Sequence, residues 1–294
     1  MYAIEINHLS KSYGKSRGIT DVSINVNEGE IFGFIGPNGA GKSTTIRTLL
    51  NYIHKDSGSA SIMGLDCERE SRKIKEIVGY LPSEVNYYDD MSIKNLLEYS
   101  AGFYKKDCTK RIKELTERFE IDTSKKFHSL SLGNKKKVAI VQALMHEPEV
   151  LILDEPTSGL DPLMQERFFD TLKEENKKGT AIFFSSHILS EVEKMCRRVA
   201  VIKEGKVLQI SEVSKIRSRS FKNVKIELYE KLKEDFNIDG AKNLLSEGNV
   251  IKFLYKGDVN KLISELSLMN IKDVEIEEPS LEDIFMHYYE KEDK

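Results

Sequence analysis

The sequence predicts an α/β protein, a parallel sheet with helices on both faces, followed by a smaller α+β unit. Three observations lead there. Short apolar runs at residues 31–35, 150–153 and 181–185 alternate with amphipathic helical patterns at 42–50, 163–178 and 188–196. A glycine-rich turn separates the first of those runs from its helix. Beyond about residue 214 the pattern changes to strand-like and helix-like segments in a different order.

Taken in order, residues 2–6 and 22–26 alternate as antiparallel strands do. The 31–35 run ends at Gly36, and the 42–50 helix follows. Residues 58–63 read as a further strand, and 71 to about 145 as mainly helical, with clear helices at 93–104 and 110–119. The strand at 150–153, helix at 163–178, strand at 181–185 and helix at 188–196 complete the alternation. Residues 199–202 and 207–210 flank Glu204-Gly205, a hairpin signal. The polar stretch 211–220 reads as a connecting helix or linker. After it, 224–228, 250–255 and 274–276 read as strands, and 258–269 and 281–289 as helices. The expected organisation is a domain over 1–214 and an accessory or dimerisation domain over 215–294.

A chain of 294 residues can bury one large core and one small one. Basic and acidic residues number 45 and 48, a net charge of −3, and the parts before and from Lys215 are each close to balance. That balance lacks the basic excess of nucleic-acid-binding surfaces, so no nucleic-acid partner is expected. The lysine runs Lys125-Lys126 and Lys135-Lys136-Lys137 read as solvated surface. Cys67, Cys108 and Cys196 are far apart, an odd number without metal-ligand spacing, and read as reduced thiols. The N-terminus carries no signal-peptide pattern, and no run approaches the ~20 apolar residues that span a bilayer. Work at a membrane would require another chain to cross it.

The turn reads Gly36-Pro37-Asn38-Gly39-Ala40-Gly41-Lys42-Ser43-Thr44, the pattern of a P-loop in its required place between a strand and a helix. Glycines let backbone N–H groups turn inward around phosphate oxygens, and the helix N-terminus adds its positive dipole end. Lys42 would reach the outer phosphates of a bound nucleotide, and the Ser43 hydroxyl would ligate Mg²⁺. The 150–153 strand ends in Asp154 and Glu155. Ligands of open α/β sheets sit at the carboxyl ends of the strands, so Asp154 would face the magnesium. Glu155, where the strand stops, can turn toward the terminal phosphate and activate a water. His187 follows the 181–185 strand and falls at the same end.

Together these motifs are specific. Gly36 to Thr44, Leu130-Ser131-Leu132-Gly133-Asn134, the run Ile152-Leu153-Asp154-Glu155-Pro156-Thr157-Ser158-Gly159-Leu160-Asp161-Pro162, and His187 stand in the order and spacing of ABC ATPases. Over residues 1 to about 210 the chain resembles the ATP-binding subunits of ABC transporters. The resemblance implies a P-loop NTPase fold. Its parts are a RecA-like core, an antiparallel β subdomain and an inserted helical subdomain at about 84–146. It also implies a head-to-tail pair of ATPase domains, identical or paralogous, closing on two ATP and Mg²⁺. The pair would drive an integral-membrane permease subunit on a separate chain from the cytoplasmic face of the cell membrane. By the same resemblance Tyr13 matches the aromatic that stacks on adenine. Ser131 and Gly133 match residues that meet the terminal phosphate of the opposite subunit's ATP, and Asp161 matches the loop linking the two sites.

Two departures stand out. The family's usual LSGGQ is LSLGN here, and leucine at position 132 resembles ATPases of drug- and peptide-antibiotic-export systems. The slot after Val78-Gly79-Tyr80-Leu81-Pro82, usually a metal-contacting glutamine, holds Ser83 with Glu84 beside it. Either one could take its place, and Ser83 is the candidate metal contact. Asn86-Tyr87-Tyr88 and Met91 then fit either the family's permease groove or packing within the helical subdomain. The segment Pro279-Ser280-Leu281-Glu282-Asp283-Ile284-Phe285 resembles the tail of export-type ABC ATPases.

Overall fold

The N-terminal alternation extends into two long strands, β1 (Tyr2–Tyr13) and β2 (Ser16–Asn27), paired antiparallel. The computed structural model describes residues 1–14, 16–88, 90–217, 221–230 and 238–277. Contacts divide the chain into two units, Met1–Ile210 and Ser211–Lys294.

The first unit continues with β3 (Ile31–Ile35), α1 (Lys42–Leu49), β4 (Ser57–Ile62), β5 (Leu65–Asp66), α2 (Ser71–Ile77) and β6 (Val78–Leu81). Then come α3 (Ile93–Ala101), α4 (Thr109–Arg118) and α5 (Leu132–Leu144). The remainder is β7 (Val150–Asp154), α6 (Pro162–Lys177), β8 (Ala181–Ser186), α7 (Leu189–Met195), β9 (Arg198–Lys203) and β10 (Lys206–Glu212). One sheet has the order β2-β1-β4-β5 and the other β10-β9-β3-β8-β7-β6. In the larger sheet β9, β3, β8, β7 and β6 pair in parallel. The β9–β10 turn places Glu204 and Gly205 at φ 49° and 79°, as a two-residue hairpin of this hand requires.

Period-two alternation explains the core. Phe32 and Phe34, Val150 and Ile152, Ala181 and Phe183, and Ala200 and Ile202 face one way from the central sheet. They share a buried cluster with Ile4, Ile6, Val22 and Ile24 of the antiparallel sheet and Ile46 and Leu49 of α1. The strands of the central sheet are apolar on both faces because both faces are covered. Ser92 caps α3 by accepting from the Asn95 N–H.

β6 interrupts the stretch that reads as mainly helical. Its four residues are too few to show a period. What marks it as a strand is its parallel pairing with β7 and the close approach of α5. A Cβ on Gly79 would stand 2.1 Å from the Ala143 carbonyl oxygen, so only glycine lets the two backbones meet.

The second unit comprises α8 (Val213–Arg217), β11 (Phe221–Leu228), β12 (Ala241–Glu247), β13 (Val250–Lys256), α9 (Val259–Leu266) and β14 (Ile271–Glu277). Its antiparallel sheet has the order β12-β13-β11-β14. Val224, Ile226, Ile251 and Phe253 share a core with Leu262 and Leu266, one turn apart on α9. The strand β12 has no counterpart in the sequence reading. Its run Asn243-Leu244-Leu245-Ser246 lacks strict alternation, and its register against β13 shifts between Lys242 and Leu245. The family-like tail at 279–285 and the helix expected at 281–289 lie outside the described residues.

His146, just past α5, is buried and stacks on Tyr104 with ring centroids 4.0 Å apart. Burial pushes its pKa down to about 4, and an interaction with the Val78 backbone works the other way. The folded chain therefore refuses a proton that the unfolded chain accepts below about pH 6.5. Stability from this group is complete above that pH and is lost as pH falls toward 4, by up to about 3 kcal/mol. His146→Phe should keep the stack and flatten that part of the acid sensitivity. Urea midpoints measured against pH for both chains would show parallel curves if the histidine is not responsible.

Candidate active site

The apolar strand β3 delivers the chain to Gly36 beside β9. A Cβ there would lie 2.3 Å from the Ile202 carbonyl oxygen, which excludes any side chain. Gly41, the residue before α1, takes φ 110°, a conformation that favours glycine. The Gly205 N–H donates to the Ala40 carbonyl at 2.8 Å, so the β9–β10 turn supports the loop from behind. Pro37, Asn38 and Gly39 form its exposed crest.

Lys42 opens α1 and is only 5% exposed. Its Nζ donates to the carbonyls of Gly36 at 2.6 Å and Pro37 at 3.2 Å. The same ammonium stands 3.1 Å from Glu155 Oε1, an ion pair without hydrogen-bond alignment. Glu155 Oε2 is 2.6 Å from His187 Nδ1. Cation, carboxylate and imidazole thus form one chain of contacts across three loops. Glu155 reaches it because its φ of 50° breaks strand alternation immediately after Asp154. That left-handed backbone at a non-glycine residue is local strain of the kind found at functional sites.

Asp154 is fully buried. Burial raises its pKa, while hydrogen bonds from Ser43 and Ser185 work the other way. The Ser185 hydroxyl lies 3.2 Å from Oδ1, and Oδ2 has no hydrogen-bond partner. A buried carboxylate with an unpartnered oxygen, joined to a serine hydroxyl, is costly alone and well suited to a hard cation. Two protein oxygens, Asp154 and Ser43, match what Mg²⁺ typically takes from protein when phosphates and water complete its shell.

A cavity of about 510 Å³ is bounded by the crest of the loop, Lys42, Ser43, Thr44, Glu155 and Ser83. Gly18 on β2 also lines it. Ser83 belongs to this wall; Glu84 beside it is exposed and does not line the cavity. Tyr13 sits at the end of β1, 46% exposed and outside the lining, with Lys11 Nζ 6.0 Å from its ring centroid. Ser131, Gly133 and Asp161 also lie outside it. Ser131 caps α5 by accepting from the Asn134 N–H, and Asp161 caps α6 by accepting from the Met164 N–H. A Cβ on Gly133 would meet the Gly159 carbonyl oxygen at 2.5 Å, so the start of α5 and the turn before α6 are in backbone contact.

Two groups escape the sequence reading. Glu191 on α7 accepts from the Thr157 hydroxyl at 2.6 Å and the Ser186 hydroxyl at 2.8 Å. It ties the loop after Glu155 to the loop before His187. Lys136, expected on the surface, is 2% exposed and donates to the carbonyls of Pro82 at 3.0 Å and Ser83 at 3.1 Å. Burial lowers its pKa to about 8, and the carboxylates of Asp154 and Glu155 oppose that shift. Helical spacing offered a signal for it: residues 136, 140 and 143 share one face of α5, and Ile140 and Ala143 are apolar.

Tyr87 and Tyr88 divide between the two readings open to them. Tyr87 packs edge-on against Phe127 at 5.1 Å and also lines a second groove of about 510 Å³ with Tyr52, Tyr80, Phe103 and Tyr104. Tyr88 is 62% exposed and starts an aromatic ladder through Tyr99 to Phe103.

A phosphate-cradling loop, a magnesium-competent carboxylate and a second acid paired to histidine, all at the carboxyl edge of one parallel sheet, define a P-loop ATPase. Residues 19–158 match the family model described as ABC transporter. The chain is 33% identical over 300 residues to the bacitracin transport ATP-binding protein BcrA of Bacillus licheniformis, covering 96% of each. It is 29% identical over 302 residues to the linearmycin resistance ATP-binding protein LnrL of Bacillus subtilis, covering 97% of each. Among solved structures, an ATP-binding subunit of an ABC transporter superposes with TM-score 0.70 at 30% identity, over 73% of this chain and 92% of that one. The chain belongs to the ABC transporter ATP-binding proteins. It is the ATPase subunit of a transporter.

Asp154→Asn keeps the side chain's size and removes its charge. Nucleotide affinity in the presence of magnesium should fall at least about tenfold. Thermal stability in metal-free buffer should hold or rise, because a buried charge is gone. Titration with a fluorescent ATP analogue, with and without magnesium, separates these effects; equal magnesium dependence in both proteins would remove Asp154 from the metal site.

Proposed function

We propose that this chain binds Mg-ATP in the cavity at Lys42 and closes on a second ATPase subunit, identical or paralogous, to drive export through a separate integral-membrane permease. In this reading Tyr13 stacks on the adenine, residues 36–44 hold the phosphates, and Ser43, Asp154 and Ser83 surround the ion. The magnesium neutralises phosphate charge when bound. Glu155 orients the attacking water and takes its proton, and His187 holds the Glu155 carboxylate and faces the terminal phosphate. Binding ATP would draw Lys42 from Glu155 to the phosphates and free that carboxylate for water. Most of the rate enhancement then comes from positioning and fixed charge.

The observation that carries the two-subunit reading is the exposure of the Ser131–Gly133 segment away from its own cavity. Leu132 is 68% exposed and Leu163, beyond Asp161, is 59% exposed. Two large apolar side chains flank residues that have no nucleotide within their own chain to meet. A facing copy would cover them and receive Ser131 and Gly133 at its ATP.

The permease reading rests on the aromatic groove at Tyr52, Tyr80 and Tyr87 and the exposed ladder beside it, a composition suited to a docked helix. Among the described residues no helix is long and apolar enough to cross a membrane, which accords with a peripheral subunit at the cytoplasmic face. Export, rather than import, is favoured by Leu132 and by the bacitracin and linearmycin relatives.

Glu155→Gln should retain ATP binding, lose about 10²–10⁴-fold in turnover and accumulate a dimer with ATP, seen by light scattering. A monomer at saturating ATP would count against the closed pair. Replacing Tyr88 and Phe103 by alanine should leave the ATPase activity of the isolated subunit within about twofold and abolish its co-purification with a polytopic membrane protein from host membranes. Undiminished co-purification would return the ladder to a structural role.

A further inference from the structure

The wall of the nucleotide cavity at Ser83 is backbone held by a buried cation. Lys136 projects from the second turn of α5 and gives two of its three N–H donors to consecutive carbonyls, Pro82 and Ser83, at the carboxyl end of β6. One helix face therefore anchors β6 twice. Ala143 meets Gly79 backbone to backbone, and seven residues earlier Lys136 holds the strand's exit. Seven helical residues rise about 10 Å, close to the length of the intervening strand segment. The helix and strand are therefore clamped at both ends.

The clamp has a specific consequence for a site with serine at position 83. The Ser83 side chain ends one atom beyond Cβ, so apart from the choice of χ1 rotamer its hydroxyl is placed by its backbone. The backbone, in turn, is placed by Lys136. Among the described residues no other side chain donates to those two carbonyls, and without the ammonium a pair of partly buried acceptors would lose its partner.

We propose that Lys136 is a positioning residue for ATP hydrolysis, fixing the Ser83 loop against the nucleotide cavity through its two backbone hydrogen bonds. Lys136→Met has similar length and no donor, and a displacement on the order of 1 Å at a catalytic wall costs up to about a hundredfold in rate. This rests on the proposed function, in which the phosphates would be held by a different element of the cavity wall, the loop at Lys42.

The test compares the full-length protein with Lys136→Met and Lys136→Arg, and rests on three readouts. In Lys136→Met, kcat should fall at least about tenfold while affinity for a fluorescent ATP analogue stays within about threefold. Hydrogen exchange at the amides of residues 83–88 should accelerate, without nucleotide present. Lys136→Arg, which still donates, should recover at least half of the lost kcat and the slow exchange. A folded Lys136→Met protein with kcat within twofold of the parent, or with unchanged exchange at 83–88, overturns the proposal. So does a parallel loss of affinity and kcat, which would mark general damage. If Lys136→Met does not fold, Lys136→Gln replaces it: its shorter amide should give an intermediate kcat, and parental kcat would again overturn the assignment. These outcomes do not depend on whether the second subunit is identical or a paralogue.

Discussion

The register of four parallel strands governs everything at the site. Ile35 pairs with Ser186, Ser185 with Asp154, and Leu153 with Leu81. The chain therefore leaves β3, β8, β7 and β6 at nearly the same level, and each exit carries one component: the phosphate loop, His187, Glu155 and Ser83. A slip of one residue in any strand would displace that component with it and exchange the side chains of the strand's two faces. Both faces of Val150 to Leu153 and Ala181 to Phe184 are buried, so the exchange would misfit close packing on each side.

Upon that frame the protein places an unusual density of buried charge. Lys42, Asp154, Lys136 and Glu191 are each less than a tenth exposed. Each would be costly without a partner. Lys42 is shared by two carbonyls and Glu155, Glu191 by two hydroxyls, and Lys136 by two carbonyls. Of these four, Asp154 is the one that keeps an oxygen without a hydrogen-bond partner. The imbalance lies where a divalent cation would fit, and a cation bound there would relieve a cost that folding leaves in place.

The element pattern is legible in the sequence wherever a segment is long enough to display a period. β3 has the predicted bounds, α1 and β7 differ from theirs by a residue at one end, and α6 by a residue at each end. β6 and β12 were not legible, one because it is four residues long and the other because its alternation is broken by a register shift. Residues 36–44, Asp154, Glu155 and His187 stand out as candidates in the sequence because of their place at strand ends, and the structure brings Lys42, Glu155 and His187 into contact. Glu191 and Lys136 do not stand out, since neither belongs to a motif and each acts on a loop distant in sequence.

The sequence by itself determined the kind of chemistry. A glycine-rich turn between strand and helix can hold phosphate, and two acids at the end of an apolar strand can serve a metal and a water, whatever surrounds them. Tertiary structure alone decided which side chains are buried and what they hold. Three consecutive lysines differ in sequence only by their helical spacing, and packing of α5 turns only Lys136 inward. Likewise Ser83 rather than Glu84 lines the cavity, because the exit of β6 is fixed by contacts with α5 more than fifty residues away. Such choices depend on the distances between elements, and local sequence carries no information about those distances until the chain has packed.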